Sequence, residues 1–311
     1  MSEEHIEFTA EKAGERLDKT VLEQLSNRLS RAQVQNLISE GRVTVNDKPV
    51  KAGVKLKGGE IVRVSIPAVE TDAPLQAEDI DLTIVYEDEH LAVIDKPAGM
   101  TVYPGTGEES GTLLAALISR YPSIAAMQAE NPRGGIVHRL DKETSGLIVV
   151  AKNAEIQTAL SDQFQARTVE KSYITLVEKR PQTATGRVDA PIARDPKQRK
   201  RMAVVRDGKS AITEYSILEE DLDGERALLK VQIFTGRTHQ IRVHLAFIGC
   251  PVVGDRVYGY RKQRLRLKRQ FLHSAELRFD HPITGERLSF ESALPSGLAN
   301  ILEKLRLQHD H

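Results

Sequence analysis

The chain has 311 residues and no formal net charge, with 44 Lys and Arg against 44 Asp and Glu, and 40% of its residues are apolar. That length suits two domains and that composition can bury a core, which excludes a disordered or collagen-like chain; the balanced charge excludes the bulk-basic signature of a non-specific nucleic-acid binder. The single cysteine, Cys250, excludes an internal disulfide framework and a Cys-based zinc site, and reads as a small buried hydrophobe. The N-terminal residues MSEEHIEFTAEKAGERLDK lack the apolar core of a secretory leader, and no stretch approaches the ~18 apolar residues of a membrane helix. A soluble, cytoplasmic protein is expected, with no membrane association and no obligatory protein partner.

Residues 15–66 are predicted to form a compact αβ module, the body of an N-terminal domain bounded at 1–66. Ser30 with Gln33 reads as a capping box opening a helix whose apolar face is Val34, Leu37 and Ile38, and Gly41 stops it. Val43 and Val45, then Val62, Val64 and Ile66, alternate as strands, with turn signals at Asn46-Asp47 and Gly58-Gly59. Ten basic residues, Arg31 among them, against six acids leave this module at +4. The next segment reverses the sign: Pro67 to Asp95 contains no Lys or Arg, and 67–80 reads as an acidic, Pro-containing linker. An acidic tether would stay off a polyanion; a solvated loop without a role fits as well.

From 81 to 311 short strands outnumber helices without βαβ alternation, which favours an α+β domain built on a mixed, largely antiparallel sheet. LAVIDK, GLIVVAK, SYITLV and LLKVQIF read as strands, and TLLAALISR, AEIQTALSDQF and THQIRVHLAFIG as helices, the last capped by Thr238. Hairpin turns are expected at Glu87-Asp88, Asp207-Gly208 and Asp223-Gly224. Two basic runs stand out: Arg194, Lys197, Arg199, Lys200, Arg201 and Arg206, and a second from Arg256 to Arg269 without an acid. Each fits a solvated face or an RNA- or DNA-facing surface. With aromatics at 5% and no Trp, single-strand stacking is not the main binding mode.

Chemistry concentrates in GGIVHRLDKETSGLIVVAKN, 134–153. A short strand-like IVHRL delivers Asp141 to a turn, where Thr144 and Ser145 can bond backbone amides and Gly146 can take a positive φ, before a buried strand returns. Such an acid fits two roles: a turn-capping carboxylate, or a catalytic group held rigidly between two strands. In FTGRTHQIRVHLAFIG, 234–249, Arg237, His239, Arg242 and His244 crowd a helix start, and a guanidinium beside Asp141 would favour its ionised form. His239 and His244 are five apart, not the four that place two ligands on one helix face, so no metal is expected; DGKS, 207–210, lacks the first Gly of a phosphate loop, so no nucleotide cofactor is expected either. A glycosidase pair would need a second acid opposite Asp141, and Glu143 lies in the same turn.

These segments resemble the RluA-type, RluD-like family of RNA pseudouridine synthases. The resemblance rests on DKPAGMTVYPG (95–105), HRLDKETSGL (138–147), KSYITLV (171–177), TGRTHQIRVHL (235–245) and FLHSAELRFDHP (271–282), while 15–66 resembles the small S-four-type RNA-binding fold. It implies a pseudouridine synthase fold and a cofactor-free isomerase acting on RNA, most often a stem-loop of large-subunit ribosomal RNA. A transfer RNA target, or a non-catalytic RNA-binding or ribosome assembly factor, is the alternative. It implies Asp141 as the catalytic aspartate, Tyr173 as the tyrosine packed against the target base, with a hydroxyl that could assist proton removal, Arg242 as the aspartate's basic partner, and Arg139 as the residue filling the gap left by a flipped base. Arg31, Lys197, Arg199, Arg237 and His239 are the further expected RNA contacts. Thr175 stands where Ala is common. His138 and His273 are expected to be structural, and Lys96 and Pro97 either to shape a turn or to serve a substrate loop.

Overall fold

The computed structural model describes residues 4–25, 29, 31–66, 75–105, 108–198, 201–260, 262, 265 and 267–309. The chain divides into two compact units, Met1–Leu75 and Gln76–His311. The expected linker at 67–80 lies for the most part outside the described residues. Its end belongs to the second unit: the Glu78 carboxylate accepts from Gly111 N at 3.0 Å and Glu78 N donates to Ala115 O at 3.1 Å.

The first unit runs β1 (Glu4–Thr9), α1 (Leu17–Gln24), α2 (Arg31–Ser39), β2 (Val43–Val45), β3 (Lys48–Pro49) and β4 (Ile61–Ile66). Its strands form an antiparallel sheet in the order β1-β4-β2-β3. Val34, Leu37 and Ile38 of α2 are buried with Val43, Val45, Val62 and Val64, so the periods of 3.6 and 2 read from the sequence meet in one core. Strand β1 was not expected. Its signal is the alternation of Ile6 and Phe8, which pack on that core. Asn46 and Asp47 both have positive φ, 48° and 62°, as a two-residue hairpin between β2 and β3 requires. Ser30 lies outside the described residues.

The second unit continues with β5 (Thr83–Glu87), β6 (Leu91–Lys96), α3 (Leu113–Arg120), α4 (Pro122–Glu130), β7 (Ser145–Ala151), α5 (Ala154–Ala166), β8 (Glu170–Val177), β9 (Thr185–Asp189), β10 (Ile192–Arg194), β11 (Met202–Val204), β12 (Ile212–Leu222), β13 (Arg226–Ile233), α6 (Gln240–Phe247), β14 (Leu272–Asp280), β15 (Arg287–Glu291) and α7 (Ser296–His309). Among the described residues, nine strands form one mixed sheet in the order β5-β6-β7-β14-β8-β13-β12-β9, with β15 on β14. Its pairs are antiparallel except β14 with β7. Every residue of β7 is buried, as a central strand covered on both faces must be.

Three local expectations are corrected. IVHRL is not a strand: it makes one isolated bridge, Ile136 to Val150, and otherwise runs outside the ladder. Asp207-Gly208 turns the chain but joins no hairpin, because β11 pairs with β10 while β12 pairs with β9 and β13. Thr238 does not cap α6. The N-cap is His239 in the left-handed region, φ 57°, with no side-chain cap. Helices α4 and α7 were not expected; α4 begins at Pro122, a residue suited to the first helical turn.

Candidate active site

Asp141 sits on the turn that feeds β7, and two glycines make that turn possible. A Cβ on Gly135 would lie 1.7 Å from Ala151 O, and one on Gly146, where φ is 112°, would lie 2.2 Å from Ser274 O. Both admit backbone where a side chain cannot fit, and Gly146 lets the turn join the parallel β7–β14 pairing. The Asp141 carbonyl accepts from Thr144 N at 3.0 Å, and Gln270 Nε2 donates to Thr144 Oγ1 at 3.2 Å. Lys96 is fully buried and its ammonium donates to three carbonyls, Pro97 O at 2.8 Å, Met100 O at 2.9 Å and Lys142 O at 3.3 Å. It ties the DKPAG turn to the residue after Asp141. Burial, reinforced by the nearby Arg269 charge, lowers its pKa to about 8.

Arg242 reaches this turn from α6. Its Nη1 donates to Asp141 Oδ2 at 2.9 Å, while Nε and Nη2 fork onto Asp255 Oδ2 and Oδ1 at 2.7 and 3.0 Å. Asp255 is fully buried and also accepts from Val257 N at 2.8 Å and Tyr258 N at 3.0 Å. Burial opposes the charge on both members of the fork. The bonds and fields between them prevail, raising the Arg242 pKa and lowering that of Asp255. The start of α6 is anchored by Gln240, whose Oε1 accepts from Thr235 Oγ1 at 2.7 Å and Arg237 N at 3.0 Å and whose Nε2 donates to Ile212 O at 2.9 Å. Sequence reasoning missed Asp255. Its signal, Gly254-Asp255 just before the second basic run, was present but carried no pattern of its own.

The surrounding histidines are fixed by their partners. Met202 N donates to Tyr258 Oη at 2.8 Å, and the same hydroxyl shares a hydrogen bond with His239 Nδ1 at 2.9 Å. Burial lowers the His239 pKa. Tyr258 also places its ring 5.1 Å from the Arg242 guanidinium. His138 Nε2 accepts from Val149 N at 3.0 Å and its ring stacks on Phe164; burial lowers its pKa to about 3. His273 is fully buried between Ser145 Oγ and Ser292 O, each at 3.0 Å. Both are structural, as expected.

Asp141 and Arg242 line a cleft of ≈ 310 Å³ together with Arg139, Lys142, Glu143 and His239. Arg256, Lys268 and Arg269 line its other side. Lys142 pairs with Glu108, and Arg242 with the two aspartates. Arg139, Arg256, Lys268 and Arg269 have no carboxylate partner among the described residues, so the cleft is strongly cationic around Asp141. The remaining sequence-predicted residues fall elsewhere. Tyr173 on β8 is 5% exposed and is not part of the cleft lining; burial raises its pKa, and so does the charge of Asp141, against a hydrogen bond with Ser274. Arg237 Nε donates to Ser210 O at 3.0 Å, away from the cleft lining. Lys197 is exposed on the loop joining β10 to β11. Arg31 opens α2 in the other unit. Arg199 lies outside the described residues. Among the described residues no helix is long and apolar enough to cross a membrane.

A carboxylate held by one oxygen in a cationic cleft, on a mixed sheet and in a chain that also carries a small αβ module, suits a polyanionic substrate. Comparison with known proteins identifies the family. Residues 90–247 match the RNA pseudouridylate synthase family and 15–62 the S4 domain. The chain is 42% identical over 306 residues to an uncharacterized RNA pseudouridine synthase, YlyB, of Bacillus subtilis, covering 98% of this chain and 99% of that one. It is 46% identical over 301 residues to the ribosomal large subunit pseudouridine synthase D of Nitrosomonas europaea, covering 94% and 85%. Among solved structures, human RNA pseudouridylate synthase domain containing 1 superposes with a TM-score of 0.58 at 25% identity, covering 74% of this chain and 96% of that one. The chain belongs to the RNA pseudouridine synthase family: it is an isomerase acting on RNA, with an S4 RNA-binding domain at its N-terminus.

Proposed function

We propose that this enzyme isomerises uridines in a stem-loop of large-subunit ribosomal RNA, with Asp141 as its catalytic carboxylate. The observation that carries the catalytic assignment is the Arg242–Asp141 ion pair at 2.9 Å inside a cleft whose other cations are largely without a carboxylate partner. Arg242, itself fixed by Asp255, orients one carboxylate oxygen and leaves the other facing the cleft. Pseudouridylation breaks the bond from ribose C1′ to uracil N1, turns the base and joins C1′ to C5; no atoms enter or leave. A stacked uridine must first be extruded, at a few kcal/mol of unstacking. Asp141 then attacks C1′ or removes a sugar proton, and both routes need a fixed, poorly hydrated carboxylate. Arg139, exposed at the cleft edge, is placed to enter the gap left by the base. His239, which lines the cleft, is assigned a polar contact to the base. Tyr173 is assigned packing beneath the site. Its raised pKa keeps it a neutral phenol at physiological pH, which opposes a role as a base.

The ribosomal target rests on the names of relatives such as those of Nitrosomonas europaea and Pseudomonas aeruginosa, both ribosomal large subunit pseudouridine synthases D. It also fits the charge pattern: a +4 module and basic runs can grip a folded RNA, while few aromatics are available to stack single strands. Arg31, Lys197, Arg199 and Arg237 are assigned to that phosphate grip. The test compares pseudouridine formation in a large-subunit ribosomal stem-loop, its scrambled linear version and transfer RNA. The stem-loop is expected to react fastest; faster modification of transfer RNA overturns the target.

A further inference from the structure

Arg269 is the cleft cation that is neither well exposed nor matched by an acid among the described residues. Its Nη2 donates to two neutral oxygens, Ser145 Oγ at 2.8 Å and Leu272 O at 3.4 Å. Among the described residues its buried Nε has no hydrogen-bond partner, and neither has Nη1. No described carboxylate lies within 4.0 Å of it. The field of the half-buried Arg269 disfavours the buried Lys96 ammonium, against those of Asp141, Glu143 and Asp95. Burial likewise lowers the pKa of Arg269, against Glu143. A half-buried guanidinium with an unpartnered Nε, close to a buried ammonium, is a costly arrangement for a protein in isolation. By contrast the buried Arg226 and Arg242 each hold two carboxylates.

The location of this unmatched charge gives it a use. Arg269 lines the same cleft as Asp141, and its bond to Ser145 fixes it to the turn that carries Asp141, four residues upstream. An extruded nucleotide that brings its C1′ to Asp141 brings its own phosphodiester into the same cleft. We propose that Arg269 is the binding residue for the backbone phosphate of the extruded nucleotide, registering C1′ against Asp141. This rests on the reading of Asp141 as the reacting carboxylate. The guanidinium suits the task because its planar donors match phosphate oxygens and its Nη2 is already immobilised by Ser145. Exposed Arg256 and Lys268 then act on flanking phosphates, where water and salt screen them.

A double-mutant cycle between protein and RNA tests this. Wild type and Arg269→Gln are each given a ribosomal stem-loop with an ordinary linkage, or with one neutral methylphosphonate placed in turn at every linkage of the loop. Pseudouridine formation and binding affinity are both read. In wild type, one linkage beside the modified uridine should lose about 10-fold or more in kcat/KM when neutralised, the worth of a hydrogen bond to a charged group. In Arg269→Gln the ordinary RNA should already show that loss, and neutralising the same linkage should cost less than about 2-fold more. Arg269→Lys should recover part of the rate. Full additivity of the two changes overturns the proposal, as does a wild-type scan in which no linkage adjoining the modified uridine stands out; that scan needs no variant and is immune to misfolding. If wild type makes no pseudouridine in this RNA, the target reading fails, and the affinity arm still decides on Arg269 by the same additivity criterion.

Discussion

Two ion triads in the catalytic unit use nearly the same chemistry to opposite ends. In one, Arg226 is 3% exposed; its Nε and Nη2 donate to Glu178 Oε2 at 3.0 and 2.7 Å, and its Nη1 bonds Asp223. In the other, Arg242 forks onto Asp255 and reaches Asp141 with Nη1. Exposure does not separate the outer acids, at 21% for Asp223 and 18% for Asp141. Surroundings do. Asp223 lies three residues from its arginine in the β12–β13 hairpin, while Glu178 comes from 48 residues away and keeps Oε1 buried and without a hydrogen-bond partner among the described residues. Asp141 comes from 101 residues away, faces a cleft with several cations unmatched among the described residues, and keeps Oδ1 without a hydrogen-bond partner among them. An arginine between two acids is a staple in the Glu178–Arg226–Asp223 triad and, on the proposed reading, the holder of the reacting acid in the Asp141–Arg242–Asp255 triad.

The largest expected effect separates the two outer acids by activity. Asp141→Asn should lose roughly 10⁴-fold or more in turnover, the scale of removing a group that forms or breaks bonds, while RNA affinity stays within a few-fold. Asp223→Asn should leave turnover per folded molecule near wild type. Single-turnover pseudouridine assays on both variants decide it; substantial activity in Asp141→Asn breaks the comparison at its root.

The inner acids should differ in the same sense. Glu178→Gln removes a charge from a buried pair and should cost about 3 kcal/mol of stability with little change in turnover. Asp255→Asn should cost a similar amount and also reduce kcat by about 10- to 100-fold, because Arg242 then holds Asp141 loosely. Denaturant unfolding alongside kcat and KM separates the outcomes: a pure stability loss in Asp255→Asn would make the second triad as structural as the first.

A buried ammonium held by carbonyls rather than by an ion pair sharpens the contrast further. The pKa of Lys96 is lowered to about 8 by burial, with Arg269 adding to it, so between about pH 8 and 10 the unfolded chain binds more protons than the folded one. The cost of burying this charge is therefore full below about pH 8 and is relieved as pH rises, by up to about 3 kcal/mol as the unfolded-state pKa is approached. Lys171, also lowered to about 8 by burial, contributes in the same direction. Urea unfolding at pH 7.5 and 10 should show wild type gaining more stability than Lys96→Met; an equal gain in the two would refute the buried charge.

The smallest effect lies in the N-terminal unit. Deleting residues 1–75 should weaken RNA binding by an amount set by salt, lowering the slope of log affinity against log salt by about 0.7 to 0.9 for each phosphate no longer gripped. Unchanged affinity and slope would make the S4 domain a passenger.

Much of the catalytic arrangement is readable before folding, because turns and strands leave local marks. Asp141 is placed on a turn by Thr144, Ser145 and Gly146, and β7 by its unbroken apolar run. Arg242 is tied to Asp141 only through resemblance, since no local pattern links residues 101 apart. Asp255 escapes the sequence for the same reason: its value lies in a fork onto an arginine 13 residues away and two amides of its own turn. Thr238 reads as a cap because hydroxyl residues before a helix usually cap it, whereas here Gln240 supplies the anchoring bonds from inside the helix.

By itself the sequence determined the α+β class and marked the turn that carries Asp141, since hydrophobic period, glycine placement and charge sign are properties of neighbours along the chain. Only the tertiary structure decided which carboxylate each arginine holds, that Tyr173 is buried and outside the cleft lining, and that Arg269 has no ion pair among the described residues. Those depend on strands β7, β8 and β14 meeting side by side. Burial and pairing are properties of what surrounds a group in space, and residues far apart in sequence supply that surrounding.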